Sequence, residues 1–82
     1  MYFIEFSRQA QKFFNKLSDK DAKIVGEKIN SIRENPFRFL KRLQGEKLWR
    51  LRILKYRVII DVLVSKNKII VLRIGYRKNV YD

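Results

Sequence analysis

The sequence predicts a single α+β domain that spans residues 1–82, with the element order β-α-α-β-β-β. Two observations support this fold class. Apolar residues recur at helical spacing in the first half of the chain, and they alternate with polar residues, the period of a strand, in the second half. The connections between the last three strands are short, so these strands are expected to pair antiparallel. We therefore expect a two-helix hairpin packed on one face of a twisted antiparallel sheet.

The N-terminal part of the chain should hold one strand and two helices. Residues 2–6 alternate as a short strand, and Ser7 follows them as a helix N-cap. The apolar stripe of the first helix comprises Ala10, Phe13, Phe14 and Leu17. Ser18 caps the second helix, whose stripe comprises Ala22, Val25, Ile29 and Ile32. Pro36 marks its end, because the residue before a proline avoids helical angles.

The C-terminal part should hold three strands, over residues 48–53, 56–64 and 69–77. Before them, residues 37–43 are expected to be an extended approach with at most a strand stub, and residues 44–47 a turn. In the last strand, Ile70, Leu72 and Ile74 share the parity expected for the core.

Arginines occupy the opposite parity of these three strands. The five are Arg50, Arg52, Arg57, Arg73 and Arg77. A single strand arginine most often serves solubility, but five on one solvent-facing sheet surface favour phosphate binding, because guanidinium groups bind phosphate bidentately. We therefore expect all five on the face that the helices leave open.

The composition points to a polyanionic partner. The chain has 20 lysine and arginine residues against 8 aspartate and glutamate residues, a net charge of +12. Nucleic acid is the first expectation, an anionic membrane the second and an acidic protein the third. The absence of cysteine and histidine excludes disulfides and removes the commonest general base. Neither a signal peptide nor a membrane span is evident, so we expect a cytoplasmic protein without a membrane partner.

The C-terminal residues 75–82 combine a glycine with aromatic and basic side chains. Aromatic rings beside cations can stack nucleobases while the cations hold the backbone, and Lys78 is expected to contribute to this. Tyr76 has core parity and is expected in the core. Tyr81 lies past the strand, where stacking on a base and patching the edge of the core are equally expected.

Three segments resemble the RelE/ParE toxin superfamily: residues 48–53, the pair Tyr56 and Arg57 followed by apolar residues, and the ending over residues 75–81. The resemblance covers nearly the whole chain and implies a RelE-like fold, which is similar to that of microbial RNases. It also implies a toxin of a type II toxin–antitoxin system, held inactive by an acidic RelB-like antitoxin. RelE members are ribosome-dependent endoribonucleases that cut mRNA, whereas ParE members inhibit DNA gyrase.

The resemblance assigns roles to residues at matching positions. The catalytic set that it implies is Arg52, Arg57, Arg77 and Tyr81, with Arg50 binding the RNA backbone. The resemblance does not require Arg73 or Lys78, which are expected to bind RNA phosphates through their charge. The implied reaction is metal-free transesterification by the RNA 2′-hydroxyl, with no cofactor. This chain has Tyr76 where many members have histidine, so the general base stays unassigned.

Three functions therefore remain open at this point. The first is a RelE-like mRNA endoribonuclease, the second a ParE-like gyrase inhibitor without nuclease activity, and the third a catalytically inactive relative that binds RNA or antitoxin. Arginines at the implied catalytic positions favour the first.

Overall fold

A computed structural model describes residues 1–43, 45 and 47–78 of the chain. The elements in chain order are β1 (Phe3–Phe6), α1 (Arg8–Asn15), α2 (Asp19–Ser31), α3 (Pro36–Phe39), β2 (Lys41–Arg42), β3 (Trp49–Ile53), β4 (Tyr56–Leu63) and β5 (Lys68–Tyr76). A 3₁₀ turn at Val64–Lys66 joins β4 to β5. The α+β class and the order of the main elements match the sequence expectation.

The sheet has five strands in the order β1-β5-β4-β3-β2. Neighbours from β2 to β5 pair antiparallel, but β1 pairs parallel with β5, from Phe3 opposite Lys68 to Phe6 opposite Val71. The expectation of a wholly antiparallel sheet was wrong for this pair. Parallel neighbours need a long crossover connection, and the helices together with the β2–β4 meander supply it.

The two serine caps form as the sequence predicts. Ser18 Oγ accepts a hydrogen bond from Asp21 N at 3.2 Å at the start of α2. Ser7 Oγ accepts from Ala10 N at 3.0 Å at the start of α1, and it also donates to the carbonyl of Leu72 at 2.6 Å. Ser7 therefore caps a helix and ties that helix to β5.

The segment before β2 differs from the expected extended approach. Pro36–Phe39 forms a single helical turn, and the strand stub follows at Lys41–Arg42. Proline suits the first position of a helix because its fixed φ is already helical. The turn is also held by an edge-to-face contact of Phe37 with Trp49, whose ring centroids are 5.1 Å apart.

The expected turn at residues 44–47 is described only in part. Gly45 has a φ of 77°, which suits glycine in a turn. Gln44 and Glu46 lie outside the described residues.

A register shift interrupts the pairing of β4 with β5. Ile59 lies opposite Arg73, but the next residue, Ile60, lies opposite Val71. Leu72 is the extra residue of a β-bulge, and this is the residue whose carbonyl accepts the Ser7 hydrogen bond.

The bulge explains an error in the predicted core. Ile69 and Val71 are buried in the main core, whereas Ile70 and Leu72 lie on the other face of the sheet and are half-buried. The predicted facing of Ile70 and Leu72 was therefore wrong. The extra residue shifts the alternation by one position, so Ile74, which follows the bulge, lies in the core as predicted.

The main core lies between the helices and one face of the sheet. Its fully buried members include Val25, Ile29 and Ile32 from the helical side and Val58, Ile60, Ile69 and Val71 from the sheet. A smaller cluster on the opposite face consists of the buried Leu43 and Ile59 with the partly buried Leu48 and Leu72. The face without helices is therefore apolar in one part and basic in another.

Replacing Ser7 with alanine should lower the free energy of unfolding by about 2 kcal/mol, because a helix cap and a hydrogen bond to the bulge are lost together. Ser18→Ala is the matched control, since it removes a cap alone, and it should cost about 1 kcal/mol. Urea unfolding of both variants measures the difference. Equal losses would mean that the contact with Leu72 adds nothing to stability.

Candidate anion-binding site

Four of the five arginines share the sheet face opposite the helices. Arg52 of β3 lies directly opposite Arg57 of β4. Two residues further along β4, Ile59 lies between Arg50 of β3 on one side and Arg73 of β5 on the other. Residues that pair directly lie on the same face, and their Cα atoms are about 4.5–5.5 Å apart. The alternation of the sequence thus places these side chains as expected.

Arg57 differs from the expectation in its burial. Its side chain is 7% exposed, whereas Arg52 and Arg77 are exposed. The prediction that all of these arginines face solvent was wrong for Arg57, because β4 is a central strand with β3 and β5 on its two sides. A guanidinium group stays charged in a protein, and a buried charge is screened less by water and salt than an exposed one.

A cavity of about 580 Å³ lies beside Arg57. The described residues that line it are Lys55, Arg57, Tyr76, Arg77 and Lys78, which are four cations and one tyrosine. Arg77 N donates a hydrogen bond to the Lys55 carbonyl at 3.0 Å, so the end of β5 is tied to the β3–β4 hairpin turn. Arg57, Arg77 and Lys78 were singled out from the sequence, and the structure brings them together.

Lys55 is a cavity residue that sequence reasoning missed. It follows Leu54 in the hairpin turn, where Leu54 adopts a positive φ of 54°. The only available signal was its place next to Tyr56 and Arg57, and a turn lysine is too common to be informative. Its Nζ lies 5.8 Å from the ring centroid of Tyr56 and 5.9 Å from that of Tyr76, within the range of cation–π contacts.

Tyr76 is not a core residue, although it has core parity. Its side chain is 45% exposed, and its ring packs edge-on against Phe13 at 5.6 Å and beside Tyr56 at 5.5 Å. β1 pairs with β5 from Lys68 to Val71, so among residues 1–43, 45 and 47–78 no strand flanks the end of β5 on that side. Tyr76 therefore presents a fixed, half-exposed ring to the cavity.

Tyr56 fixes the hairpin to the helical layer. Its hydroxyl donates a hydrogen bond to Asp21 Oδ2 of α2 at 2.5 Å. This bond, with burial and the negative charge of Asp21, raises the pKa of Tyr56 to about 12. The contact holds in place the strand that carries Arg57.

Tyr56→Phe should therefore lower the free energy of unfolding at neutral pH by about 1.5–3 kcal/mol, the contribution of a hydrogen bond to a charged group. Because the pKa is raised in the folded state, the stabilisation is complete below the ordinary tyrosine pKa of about 10. It is lost as the pH rises through about 12. Urea unfolding of both proteins between pH 8 and about pH 12 should show their difference shrinking over the last two units, and a difference independent of pH would contradict this role.

The remaining candidates lie at the margins of the site or beyond it. Arg73 is exposed on the same face as Arg50 but does not line the cavity. Tyr81 lies outside the described residues, as does the rest of 79–82.

Within residues 1–43, 45 and 47–78, no group of three or more acidic, histidine or cysteine side chains could hold a metal ion. No helix in the described part of the chain is long and apolar enough to cross a membrane.

Comparison with known proteins gives one family. The model of the family described as the ParE toxin of the type II toxin–antitoxin system parDE matches residues 4–81. A search of curated protein sequences returned no match.

Solved structures with the same fold come from bacteria and archaea. A chain of the Mycobacterium tuberculosis RelBE2 toxin–antitoxin complex is 23% identical, with a TM-score of 0.83 over 93% of this chain and 98% of that one. The isolated RelE toxin of E. coli is 25% identical, with a TM-score of 0.81 over 93% and 84%. A chain of the RelE–RelB complex of Pyrococcus horikoshii is 23% identical, with a TM-score of 0.81 over 96% and 98%.

Proposed function

Because this chain belongs to the RelE/ParE family of toxins of type II toxin–antitoxin systems, we propose that it is a ribosome-dependent endoribonuclease that cleaves mRNA. The observation that carries the proposal is the pair formed by Arg52 and Arg57 across two strands, beside a cavity lined by further cations. Like charges directly opposite one another destabilise a sheet. A phosphodiester that binds both guanidinium groups converts this repulsion into attraction.

The proposed reaction is transesterification within the RNA. The 2′-oxygen attacks the adjacent phosphorus, the bond from phosphorus to the 5′-oxygen breaks, and the products are a 2′,3′-cyclic phosphate and a 5′-hydroxyl. The proton of the 2′-hydroxyl leaves during the attack, and the 5′-oxygen gains a proton as it departs. Charge builds up on the non-bridging oxygens in between, and fixed donors aimed at them lower the barrier.

The residues of the candidate site suit these tasks to different degrees. We assign the stabilisation of developing charge to Arg57, Arg52 and Arg77, because a guanidinium group offers five N–H donors and no acceptor, which suits charge stabilisation and not the role of a base. Tyr76 and Lys55 would hold a flanking base by stacking and by a cation–π contact. Tyr81 is assigned the orientation of the ribose, and Arg50, Arg73 and Lys78 the binding of neighbouring phosphates. Positioning of the mRNA by the ribosome would supply much of the remaining rate.

The proposed regulator is an acidic RelB-like antitoxin. Solved relatives are complexes of a toxin with its antitoxin, and a net charge of +12 favours an acidic partner. A cytoplasmic location follows from a ribosomal target. Salt should slow the association of the two proteins, because long-range steering between opposite charges is screened.

Inhibition of DNA gyrase is the second candidate. It is favoured by one specific observation, the match of the chain to the family model described for ParE toxins. The two candidates differ in their immediate effect on cells. An endoribonuclease arrests translation while plasmid supercoiling stays normal, whereas a gyrase inhibitor relaxes plasmids before translation falls.

Pulse labelling and plasmid topology after induction of the toxin therefore test the proposal. Early loss of methionine incorporation with unchanged supercoiling is the expected result. Early relaxation of plasmid with continuing incorporation would contradict it and support the second candidate. If neither methionine incorporation nor supercoiling changes, and the antitoxin still co-purifies with the protein, the protein is a catalytically inactive relative.

A further inference from the structure

A second basic cavity, of about 210 Å³, lies at the edge of the sheet. It is lined by residues from four elements, namely Lys28 of α2, Phe39 of α3, Lys41 of β2, and Arg50, Leu51 and Arg52 of β3. Arg52 is also the partner of Arg57 in the cross-strand pair. Arg52 therefore relates the second cavity to the candidate site.

The strand lengths create this cavity. β2 is two residues long and pairs with Trp49 and Arg50. Within the described part of the chain, the outer edge of β3, opposite β4, therefore has no neighbouring strand from Leu51 onward. The single turn of α3 ends at Phe39, above the gap. Side chains of two helices and two strands thus converge beside the unpaired outer edge of β3.

Phe39 contributes an exposed aromatic ring to the lining of this cavity. Its ring is 41% exposed, with Lys28 Nζ 5.2 Å and the Arg38 guanidinium carbon 5.7 Å from its centroid. An exposed aromatic ring among cations is the combination with which proteins bind single-stranded nucleic acid, since the ring stacks a base and the cations hold the backbone. The candidate site repeats this combination with Tyr76 and Lys55.

We propose that this cavity binds a second nucleotide of the same single-stranded RNA, one that flanks the phosphate held between Arg52 and Arg57. The base would stack on Phe39, and the phosphate would contact Lys41 and Arg50. Arg50 lies two residues from Arg52, about 6.8 Å along the strand, so an RNA strand that follows β3 can place neighbouring phosphates at these two side chains. This inference rests on RNA as the substrate of the proposed function.

The exposed ring of Phe39 distinguishes a nucleotide from an acidic peptide as the ligand of this cavity. Cations alone would suffice for carboxylates, and a lysine or arginine contributes to binding either ligand. Removal of the Phe39 ring should therefore weaken RNA binding and leave the binding of an acidic peptide unchanged.

The test uses the free protein and a fluorescent 2′-O-methyl RNA octamer, which cannot undergo cleavage. At low salt, Phe39→Ala should raise Kd about 10-fold, the effect of losing one stacked base. Phe3→Ala is the matched control, because Phe3 is 65% exposed on β1, at the far edge of the sheet, and its loss should leave Kd unchanged. Lys41→Ala should reduce the slope of log K against log salt concentration by about 0.7, and Lys66→Ala should not.

Several outcomes would overturn the inference. These are a Phe39→Ala protein that binds the octamer as tightly as the wild type, an equal loss in Phe3→Ala, and no binding by the wild type. A comparable loss of binding to a labelled polyglutamate peptide would also overturn it, in favour of an acidic-peptide site. Because no cleavage is needed, a Phe39-dependent Kd in a protein that never cuts mRNA would uphold the inference and remove the proposed enzyme activity.

Discussion

Replacing Arg57 with alanine is expected to slow mRNA cleavage by about 10²–10³-fold, the usual effect of removing one fixed charge donor from a transition state. Arg57 is the least exposed residue of the candidate site. It lies on the central strand, is 7% exposed and lines the 580 Å³ cavity. Its guanidinium group is therefore positioned by the fold before RNA arrives, which is the condition for strong electrostatic stabilisation. Single-turnover cleavage on programmed ribosomes measures the effect.

Arg57→Lys is the control for this prediction. It keeps the positive charge but loses the planar fork that binds two phosphate oxygens, so it should recover only part of the lost rate. Thermal unfolding of both variants must accompany the kinetics, because Arg57 is buried. A folded Arg57→Ala protein with a rate within a few-fold of the wild type would rule out this residue as a charge donor.

The second large effect is expected from Arg52→Glu, and here stability and activity should move in opposite directions. The change places a carboxylate directly across from Arg57 and replaces a cross-strand pair of like charges with a pair of opposite charges. Opposite charges in such a pair contribute roughly 0.2–1 kcal/mol to stability. The same carboxylate repels the phosphate and occupies its guanidinium partner, so cleavage should fall by at least about 10²-fold.

Arg52→Gln separates charge removal from charge reversal. It should relieve the repulsion without forming an ion pair, and its stability should fall between those of the wild type and Arg52→Glu. Urea unfolding and cleavage rates of the three proteins provide the comparison. If Arg52→Glu were both less stable than the wild type and equally active, the arginine pair would be a structural feature and the phosphate would bind elsewhere.

Part of this arrangement could be predicted from the sequence. In β3 and β4 the period-two pattern is unbroken, so it correctly placed Arg50, Arg52 and Arg57 on one face. In β5 the bulge at Leu72 shifts the alternation by one residue, and nothing in the local pattern of aliphatic residues signals it. The error ended at Arg73 because a bulge changes the facing of the residues on only one side of it.

The burial of individual side chains and the contacts between distant elements were beyond the sequence pattern. Period-two alternation predicts the sheet face on which a side chain lies but not the residues that surround it. It could therefore not predict that Arg57 is buried, or that Tyr76 is half-exposed at the end of β5 that β1 does not cover. The second cavity depends on Lys28 and Phe39, which lie in different helices and meet only through tertiary packing. The parallel pairing of β1 depends likewise on the whole topology.

The chemical identity of the mRNA ends tests the central claim most directly, that Arg52 and Arg57 hold a phosphodiester that this protein cleaves. Ribosomes carrying a defined mRNA would be incubated with wild-type protein and with Arg57→Ala, and the fragments mapped. We expect an upstream fragment ending in a 2′,3′-cyclic phosphate and a downstream fragment beginning with a 5′-hydroxyl, both greatly reduced with Arg57→Ala. Intact mRNA with the wild-type protein, together with DNA gyrase stalled on supercoiled plasmid by the same preparation, would contradict the claim.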